Sequence, residues 1–161
     1  MSLLSKIFGK PSNQLAQQGN RDDGWVLADR KSDSGISLIR IKKLPSSFKF
    51  ANSKFRLSIL WSYQKESDTG APSSAEVERM ERFELLVRQH IEMTGAALLA
   101  IIFTEAQFRQ YEFYTGDVKR FINLLNKIPA QSEPFPIEIR EEKDEEGDFY
   151  YTYANGILGD P

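Results

Sequence analysis

The sequence is marked first by what it lacks. It contains no cysteine and a single histidine, His90, among 161 residues. Without cysteine, a disulfide framework, thiolate metal ligands and a cysteine nucleophile are excluded. The formal net charge is only −2, so no global basic field favours nucleic acid as a partner. No apolar run approaches the ~18 residues that a membrane span needs. These absences indicate an ordinary globular protein, which we expect in the cytoplasm.

One strand followed by one long helix, between Phe55 and Gly95, organises the chain. Five large apolar residues alternate with mostly polar ones, as in a strand buried on one face: Phe55, Leu57, Ile59, Trp61 and Tyr63. Ser73 and Glu76 then have the spacing of a helix capping box. Apolar residues recur every three or four positions after this box, which predicts a helix of about six turns. Gly95 is a typical residue to end that helix.

The other segments predict further strands and a shorter helix. Strand patterns occupy residues 25–31, 36–42, 96–103, 108–115 and 135–140. Asp117 has the position of an N-cap for a short helix that ends before Pro129. From Phe55 onward the order is therefore strand, helix, strand, strand, helix, strand. This order predicts an α+β class with a ferredoxin-like βαββαβ core, both helices on one face of an antiparallel sheet, and an added N-terminal β-hairpin.

The apolar segment 96–103 would lie at the edge of a four-stranded sheet of that kind. A long apolar edge strand invites aggregation, because its backbone groups are unpaired. We therefore expect the hairpin of residues 25–42 to pair with this edge, which would extend the sheet to about six strands.

The chain divides into an N-terminal segment, residues 1–23, and a single α+β domain, residues 24–161. Residues 1–10 place four apolar side chains on one side of a short helix, with two lysines nearby. Two interpretations stay open: a helix that docks on the domain, or a weak anchor to a membrane surface. Residues 11–23 are rich in serine, asparagine, glutamine and glycine, as in a linker.

An acidic turn followed by aromatic residues is the first candidate binding surface. The candidate partner-binding residues are Glu141, Glu142, Glu145, Glu146, Tyr150 and Tyr151. The spacing of the acids does not match a calcium-binding loop, so we predict no metal site. The aromatic residues either pack the C-terminal segment onto the domain or contact another protein.

A locally basic segment between residues 40 and 56 is the second candidate surface. The candidate nucleic-acid-binding residues are Arg40, Lys42, Lys43 and Lys49, with Phe48 and Phe50 interleaved. Positive charge combined with base stacking is one way in which proteins hold single strands. The alternative is a solvated hairpin edge whose lysines discourage strand pairing, with both phenylalanines in the core.

No set of residues converges on a catalytic mechanism. The sequence contains no serine in a nucleophile elbow and no phosphate-binding glycine loop, and nothing singles out one pair of carboxylates. Arg109, Glu105, Glu112 and His90 are the groups that an enzyme hypothesis would have to use. His90 lies at the margin of an apolar stripe, where it is either a general base or a half-buried helix residue. We predict no catalytic residue and no cofactor, and whether the chain is an enzyme stays open.

Three separate stretches together resemble a known family. The first is Gly70-Ala71-Pro72 with the glutamate-rich helix entry that follows it. The second is a strand region that contains Thr104, Arg109, Tyr111, Phe113 and Tyr114. The third is the acidic turn with closing aromatics within residues 136–153. In this order they resemble the bacterial domain-of-unknown-function family 695 over roughly residues 25–153.

Two positions depart from that family's pattern. Gln110 stands where the family tends to have glutamate, and Phe149 stands where tryptophan is expected. The resemblance implies no catalytic residues, because the family has no established activity. The predicted architecture is also distantly similar to the ribonuclease E inhibitor domain, a small bacterial regulator.

The sequence thus favours a non-catalytic protein-binding or regulatory module. A sharper form is an immunity-type inhibitor whose acidic face blocks a basic toxin, because charge complementarity speeds association. The alternatives are a nucleic-acid-binding module that uses residues 40–56 and an enzyme of unknown reaction. Homodimerisation through a sheet edge or the aromatic tail stays open.

Overall fold

The computed structural model describes residues 24–29, 33, 35–64 and 70–159. They form a mixed α+β domain with a six-stranded antiparallel sheet and three α-helices. The strands are β1 (Trp25–Asp29), β2 (Ser37–Lys42), β3 (Phe55–Ser62), β4 (Leu98–Glu105), β5 (Phe108–Thr115) and β6 (Ile137–Lys143). The helices are α1 (Ser74–His90), α2 (Val118–Asn126) and α3 (Asp148–Leu158). No helix in these described ranges is long and apolar enough to cross a membrane. The segment 1–23 and both of its interpretations lie outside the described residues.

The sheet has the strand order β1-β2-β4-β5-β3-β6, and each neighbouring pair is antiparallel. β2 pairs with β4 in a register that places Ser37 opposite Glu105 and Ile41 opposite Ile101. The N-terminal hairpin therefore extends the sheet beside β4, and this prediction is confirmed. β4 is hydrogen-bonded to β2 on one side and to β5 on the other. Its backbone N–H and C=O groups are therefore not open to pairing with a second chain.

Helices α1 and α2 both pack on one face of the sheet, which we call the first face. The side chains between them and the strands form the first core, whose largest fully buried members include Trp61, Phe83, Tyr111, Phe113 and Phe121. The alternation predicted for β3 is confirmed, because Leu57, Ile59 and Trp61 all belong to this core. Burial of each such side chain stabilises the fold by about 1.5–3 kcal/mol.

Helix α3 packs on the opposite, second face of the sheet. The second core combines Tyr150 and Ala154 of α3 with Ile41, Phe103 and Tyr114 of the strands. β4 contributes to both cores, because its side chains alternate between the two faces, and the register irregularity between Leu99 and Ile101 places Ala100 and Ile101 together in the second core. The apolar run 96–103 is therefore covered on both faces, as its composition predicts.

Helix α1 begins as predicted and ends one turn earlier. The Ser73 hydroxyl accepts a hydrogen bond from the N–H of Glu76 at 3.1 Å, which is the expected cap. The α-helix ends at His90, and a 3₁₀ turn over Glu92–Thr94 follows it. Gly95 then adopts a left-handed conformation with φ 79°. The stop residue was thus predicted correctly, but the last turn is tightened to 3₁₀ geometry.

The C-terminal part differs most from the sequence prediction. β6 spans Ile137–Lys143 instead of residues 135–140, because Pro134 and Pro136 have no N–H to donate to a ladder. Glu141 and Glu142 therefore lie in the strand. Helix α3 was not predicted, since the segment was interpreted only as aromatics packed onto the domain. They do pack there, and contact with the sheet stabilises a helix that contains Gly156.

Candidate functional site

The turn between β6 and α3, residues 144–147, is organised by Asp144. Its carboxylate accepts hydrogen bonds from the N–H groups of Asp148 at 2.8 Å and Phe149 at 3.2 Å, which caps α3. The Tyr114 hydroxyl donates to the same carboxylate at 2.7 Å. The Asp144 N–H donates to the carbonyl of Lys54 at 2.7 Å. The turn is thus tied to β5 and to the residue that precedes β3.

Gly147 closes this turn against the second core. It adopts a left-handed conformation with φ 73°. A Cβ atom at this position would lie 2.5 Å from the Phe50 ring, which is too close for any side chain. The turn therefore requires glycine for two separate reasons, its backbone conformation and its packing.

The four predicted acids lie together at one end of the β6 edge. Glu141 and Glu142 are in β6, whereas Glu145 and Glu146 are in the turn, and all four are exposed. The Glu142 side chain is 69% exposed although it contacts Arg56, and Glu145 lies 3.6 Å from the ammonium group of Lys143. Because Asp144 holds the turn, these carboxylates are presented on a fixed backbone.

The two predicted tyrosines have different environments. Tyr151 is 46% exposed, and its ring centroid lies 5.6 Å from that of Phe50 and 5.3 Å from that of Tyr150. Tyr150 is only 3% exposed, and its hydroxyl donates to the carbonyl of Lys42 at 2.6 Å. Burial raises the pKa of Tyr150. Tyr150 is therefore a residue of the second core, whereas Tyr151 is accessible at the surface.

A buried charge network lies beside the acidic turn on the second face. Arg56 Nη1 donates to Glu112 Oε2 at 2.7 Å, and its Nη2 donates to Glu142 at 2.7 Å. Ser58 also donates to Glu112, and the Phe149 ring centroid lies 3.8 Å from the guanidinium carbon. Burial alone would lower the pKa of Arg56, but Glu112 and Glu142 outweigh this effect and leave the pKa raised. Arg56 is thus a permanent cation that anchors Glu142 to the sheet.

A protein-family model described as a family of unknown function, DUF695, matches residues 23–154. The chain belongs to this family. The match covers most of the domain, and it confirms the resemblance found in the sequence. Comparisons with curated proteins and with solved structures found no match.

Two of the three stretches that suggested DUF695 contact each other in the structure. Arg109 Nε donates to the Thr104 hydroxyl at 2.9 Å on the first face. Tyr114, from the same stretch, bonds to Asp144 of the C-terminal stretch. These residues therefore carry polar contacts within the sheet and between β5 and the turn.

The basic residues of this DUF695 domain do not form one cationic patch. Arg40 and Lys42 point to the first face, where they pair with Glu84 at 2.7 Å and Glu92 at 3.5 Å. Both cations also lie about 5 Å from the Trp25 ring, at 5.1 and 5.0 Å. The remaining two candidates, Lys43 and Lys49, are exposed, whereas Phe50 is buried in the second core. The four candidate cations are therefore divided between two paired residues on the first face and two exposed residues, and Phe48 is partly exposed next to Lys49.

The residues of the enzyme hypothesis are also kept apart. Arg109 is 1% exposed on the first face, and its Nη1 lies 3.4 Å from Glu84. Glu112 lies on the second face, because it is three positions after Arg109 on the same strand and an odd spacing places side chains on opposite faces. Glu105 accepts a hydrogen bond from Ser37, and His90 is at the end of α1. Within the described ranges, no group of three metal-binding side chains is assembled.

Sequence reasoning missed the Arg56–Glu112–Ser58 network. A weak signal existed, because Arg56 and Ser58 occupy the polar positions of an alternating strand. Glu112 could be assigned to them only through the register between β3 and β5, which places Ser58 opposite Glu112. Pairing register is a tertiary property that one strand's pattern does not contain.

Proposed function

We propose that the protein is a non-catalytic binding module that recognises a basic partner protein through its acidic turn. The observation that supports this is the group of four exposed glutamates at residues 141, 142, 145 and 146, two at the end of β6 and two in the turn that Asp144 organises. A surface of one charge sign steers an oppositely charged partner and speeds association. Preorganisation lowers the entropy lost when the partner binds.

Tyr151 supplies the aromatic component of the proposed interface. It is one of the few large apolar residues exposed in the described part of the chain. Its ring is already fixed against Phe50 and Tyr150, so little rotamer freedom is lost on binding. Tyrosine is enriched among residues that dominate binding energy. The proposed interface therefore joins a rigid aromatic anchor to a carboxylate rim.

We also infer that the core is of the ferredoxin-like type. The order β6-β3-β5-β4 within the sheet and the location of α1 and α2 on one face support this assignment. The similarity to the ribonuclease E inhibitor domain stays a prediction about architecture. An immunity-type inhibitor in the bacterial cytoplasm is the sharper form of the proposal, since such a partner would present a basic surface.

The test is capture of partners from lysate of the source organism, with nuclease present. The test variant replaces the four acids with glutamine: Glu141→Gln, Glu142→Gln, Glu145→Gln and Glu146→Gln. A matched control removes four exposed acids elsewhere: Asp29→Asn, Asp33→Asn, Glu78→Gln and Glu133→Gln. We expect a basic protein in stoichiometric amount with the wild type and the control, and its loss with the test variant and at high salt.

Two outcomes would count against the proposal. One is a partner that the test variant retains as well as the wild type does. The other is a partner that disappears on nuclease treatment, which would indicate nucleic acid as the real ligand. Thermal unfolding of both variants checks that the domain remains folded, because all eight substituted side chains are exposed.

A further inference from the structure

The second face of the sheet is covered only in part by α3. The second core includes residues of β2, β4 and β5, but it contains no residue of β6 and none of β3. The part of this face formed by β3, β6 and the start of β5 therefore lies outside the second core in the described structure, although Phe149 of α3 lies above Arg56. We call this part the open half of the second face.

The pairing register arranges the open half into rows across three strands. One row consists of Glu112, Ser58 and Arg140. The next row consists of Gln110, Leu60 and Glu138. The last consists of Phe108 and Ser62. All these side chains point the same way, since they occupy alternate positions of their strands.

Leu60 and Phe108 are apolar residues within this otherwise polar surface. Both are partly exposed, and neither belongs to either core. Leu60 is opposite Gln110, so Phe108 is its diagonal neighbour across the strand pair. Diagonal positions are about 7–8 Å apart, which lets a leucine and a phenylalanine form one small patch.

Carboxylates surround this apolar patch. Glu105 is directly opposite Phe108 on β4, and Glu138 is directly opposite Leu60 on β6. The open half contains three glutamates against two arginines, a net charge of −1, and Glu105 lies at its border on β4: Glu112, Glu138, Glu142, Arg56 and Arg140. Arg56 pairs with the fully buried Glu112 and with Glu142, and Arg140 pairs with Glu138 at 3.4 Å, so the carboxylates of the open half that face solvent are those of Glu138 and Glu142, at 64% and 69% exposure. Together with the acidic turn, these two carboxylates make the surface complementary to a ligand that is apolar where it meets Leu60 and Phe108 and basic where it meets β6 and the turn.

We propose that the Leu60–Phe108 patch holds the apolar anchor residue of a basic, amphipathic segment of a partner protein. This inference rests on the proposed function and names the chemistry of the partner. The patch is continuous with the acidic turn, because Glu138 and Glu142 lie on the same face of β6. From Leu60 to Arg56, whose row contains Glu142, the strand rises about 13 Å. The partner's apolar anchor and its main basic cluster are therefore separated by about four extended or nine helical residues.

The probe for this inference is a random peptide library displayed on phage and selected on the full chain. We expect enriched peptides to contain a leucine, phenylalanine or similar anchor flanked by lysine or arginine. Peptides that are basic without an anchor would overturn the inference but leave the proposed function standing. Peptides with an anchor and no basic residues would support the patch and contradict the proposed function. Failure to enrich any sequence would contradict both.

Affinities of the selected peptides, measured by fluorescence anisotropy, then locate the contact. The test variant is Leu60→Thr with Phe108→Thr, because threonine retains β propensity at both strand positions. The control is Leu85→Ser, which removes an exposed leucine from α1. We expect the test variant to weaken binding about tenfold or more, and the control to leave it unchanged. Equal affinity for wild type and test variant would overturn the inference.

Chemical-shift mapping of the wild type with bound peptide locates the contact without any substituted protein, so its result does not depend on whether a variant folds. The amide shifts of β3, the start of β5 and β6 are expected to change. Changes confined to α1 and α2, on the first face, would overturn the inference, whatever the affinities of the variants.

Discussion

At the scale of single residues, one buried carboxylate joins several polar side chains of the second face. Glu112 is fully buried and accepts hydrogen bonds from Arg56, Ser58 and Gln110. A buried charge of this kind depends on its partners, because removal from water costs several kcal/mol if no opposite charge is near. The network therefore explains how a strand interior tolerates an arginine and a glutamate.

Glu112→Ala is expected to destabilise the domain by about 3–5 kcal/mol, because it leaves the Arg56 guanidinium buried with only the exposed Glu142 as partner. The double variant Arg56→Met with Glu112→Leu is expected to be more stable than Glu112→Ala, since apolar residues of similar volume leave no unpaired charge. Urea unfolding of the single and double variants measures both quantities. Additive losses in the double variant would contradict the idea that the two charges depend on each other.

At the scale of the element, α3 depends on a cap from outside the helix. Gly147 occupies the N-cap position without a side-chain cap, and Asp144, three residues earlier, accepts the bonds that a cap would accept. The helix is also short and contains Gly156. An isolated helix of this length is not stable in water, so its formation depends on this cap and on the second core.

Asp144→Ala is therefore expected to lower the free energy of unfolding by about 1–2 kcal/mol and to expose α3 preferentially. Amide hydrogen exchange measures the second effect, since the amides of residues 150–154 would lose protection before those of β4. Asp148→Asn is the matched control, because it removes one negative charge from the same turn but no capping hydrogen bond. Uniform loss of protection over the whole sheet would argue against a local role of Asp144.

At the scale of the whole molecule, buried tyrosines determine how the domain responds to high pH. Burial raises the pKa of Tyr63 to about 12, and burial is also the main cause of the raised pKa values of Tyr111, Tyr114 and Tyr150. The Asp144 carboxylate, which accepts a hydrogen bond from the Tyr114 hydroxyl, raises the pKa of Tyr114 further. The four phenols belong to both cores and to the loop after β3.

We expect the domain to lose stability as the pH rises from about 10 toward 12, because the folded state holds these four protons more tightly than the unfolded chain does. The stabilisation is complete below the ordinary tyrosine pKa of 10.0 and disappears as the pH passes the raised values. Ultraviolet absorbance of tyrosinate and far-ultraviolet circular dichroism, recorded together, measure this. Ionisation of all six tyrosines near pH 10 with the fold intact would contradict the expectation.

Local patterns predicted most of the elements. The alternation of β3, the Ser73 cap of α1 and the Asp117 cap of α2 are all present, since each depends on a few neighbouring residues. The boundaries of β6 and the existence of α3 could not be obtained in this way. A segment with Gly156 and four aromatic residues has no strong helical preference, and its conformation depends on the sheet that it covers.

For the candidate partner-binding surface, the sequence predicted the exposed glutamates but not which neighbouring side chains are buried. Four glutamates in a run of like charges are exposed in nearly any fold, so their location followed from composition alone. Tyr150 shows the limit of that reasoning, because its aromatic neighbours gave no sign of which ring would be buried. The ion pairs of Arg40 and Lys42 could not be predicted either, because their partners lie far along the chain, Glu84 in α1 and Glu92 in the 3₁₀ turn after it.

The sequence by itself determined the class of the domain, its family and the acidic character of one end, because periodicity, motif order and charge are properties of neighbouring residues. Only the tertiary structure decided which side chains share a face. Strand order and register placed Glu112 beside Arg56, and separated both from Arg109. The same register formed the Leu60–Phe108 patch from residues 48 positions apart. Such pairings arise from long-range contacts, and a shift of one residue would move every side chain to the opposite face.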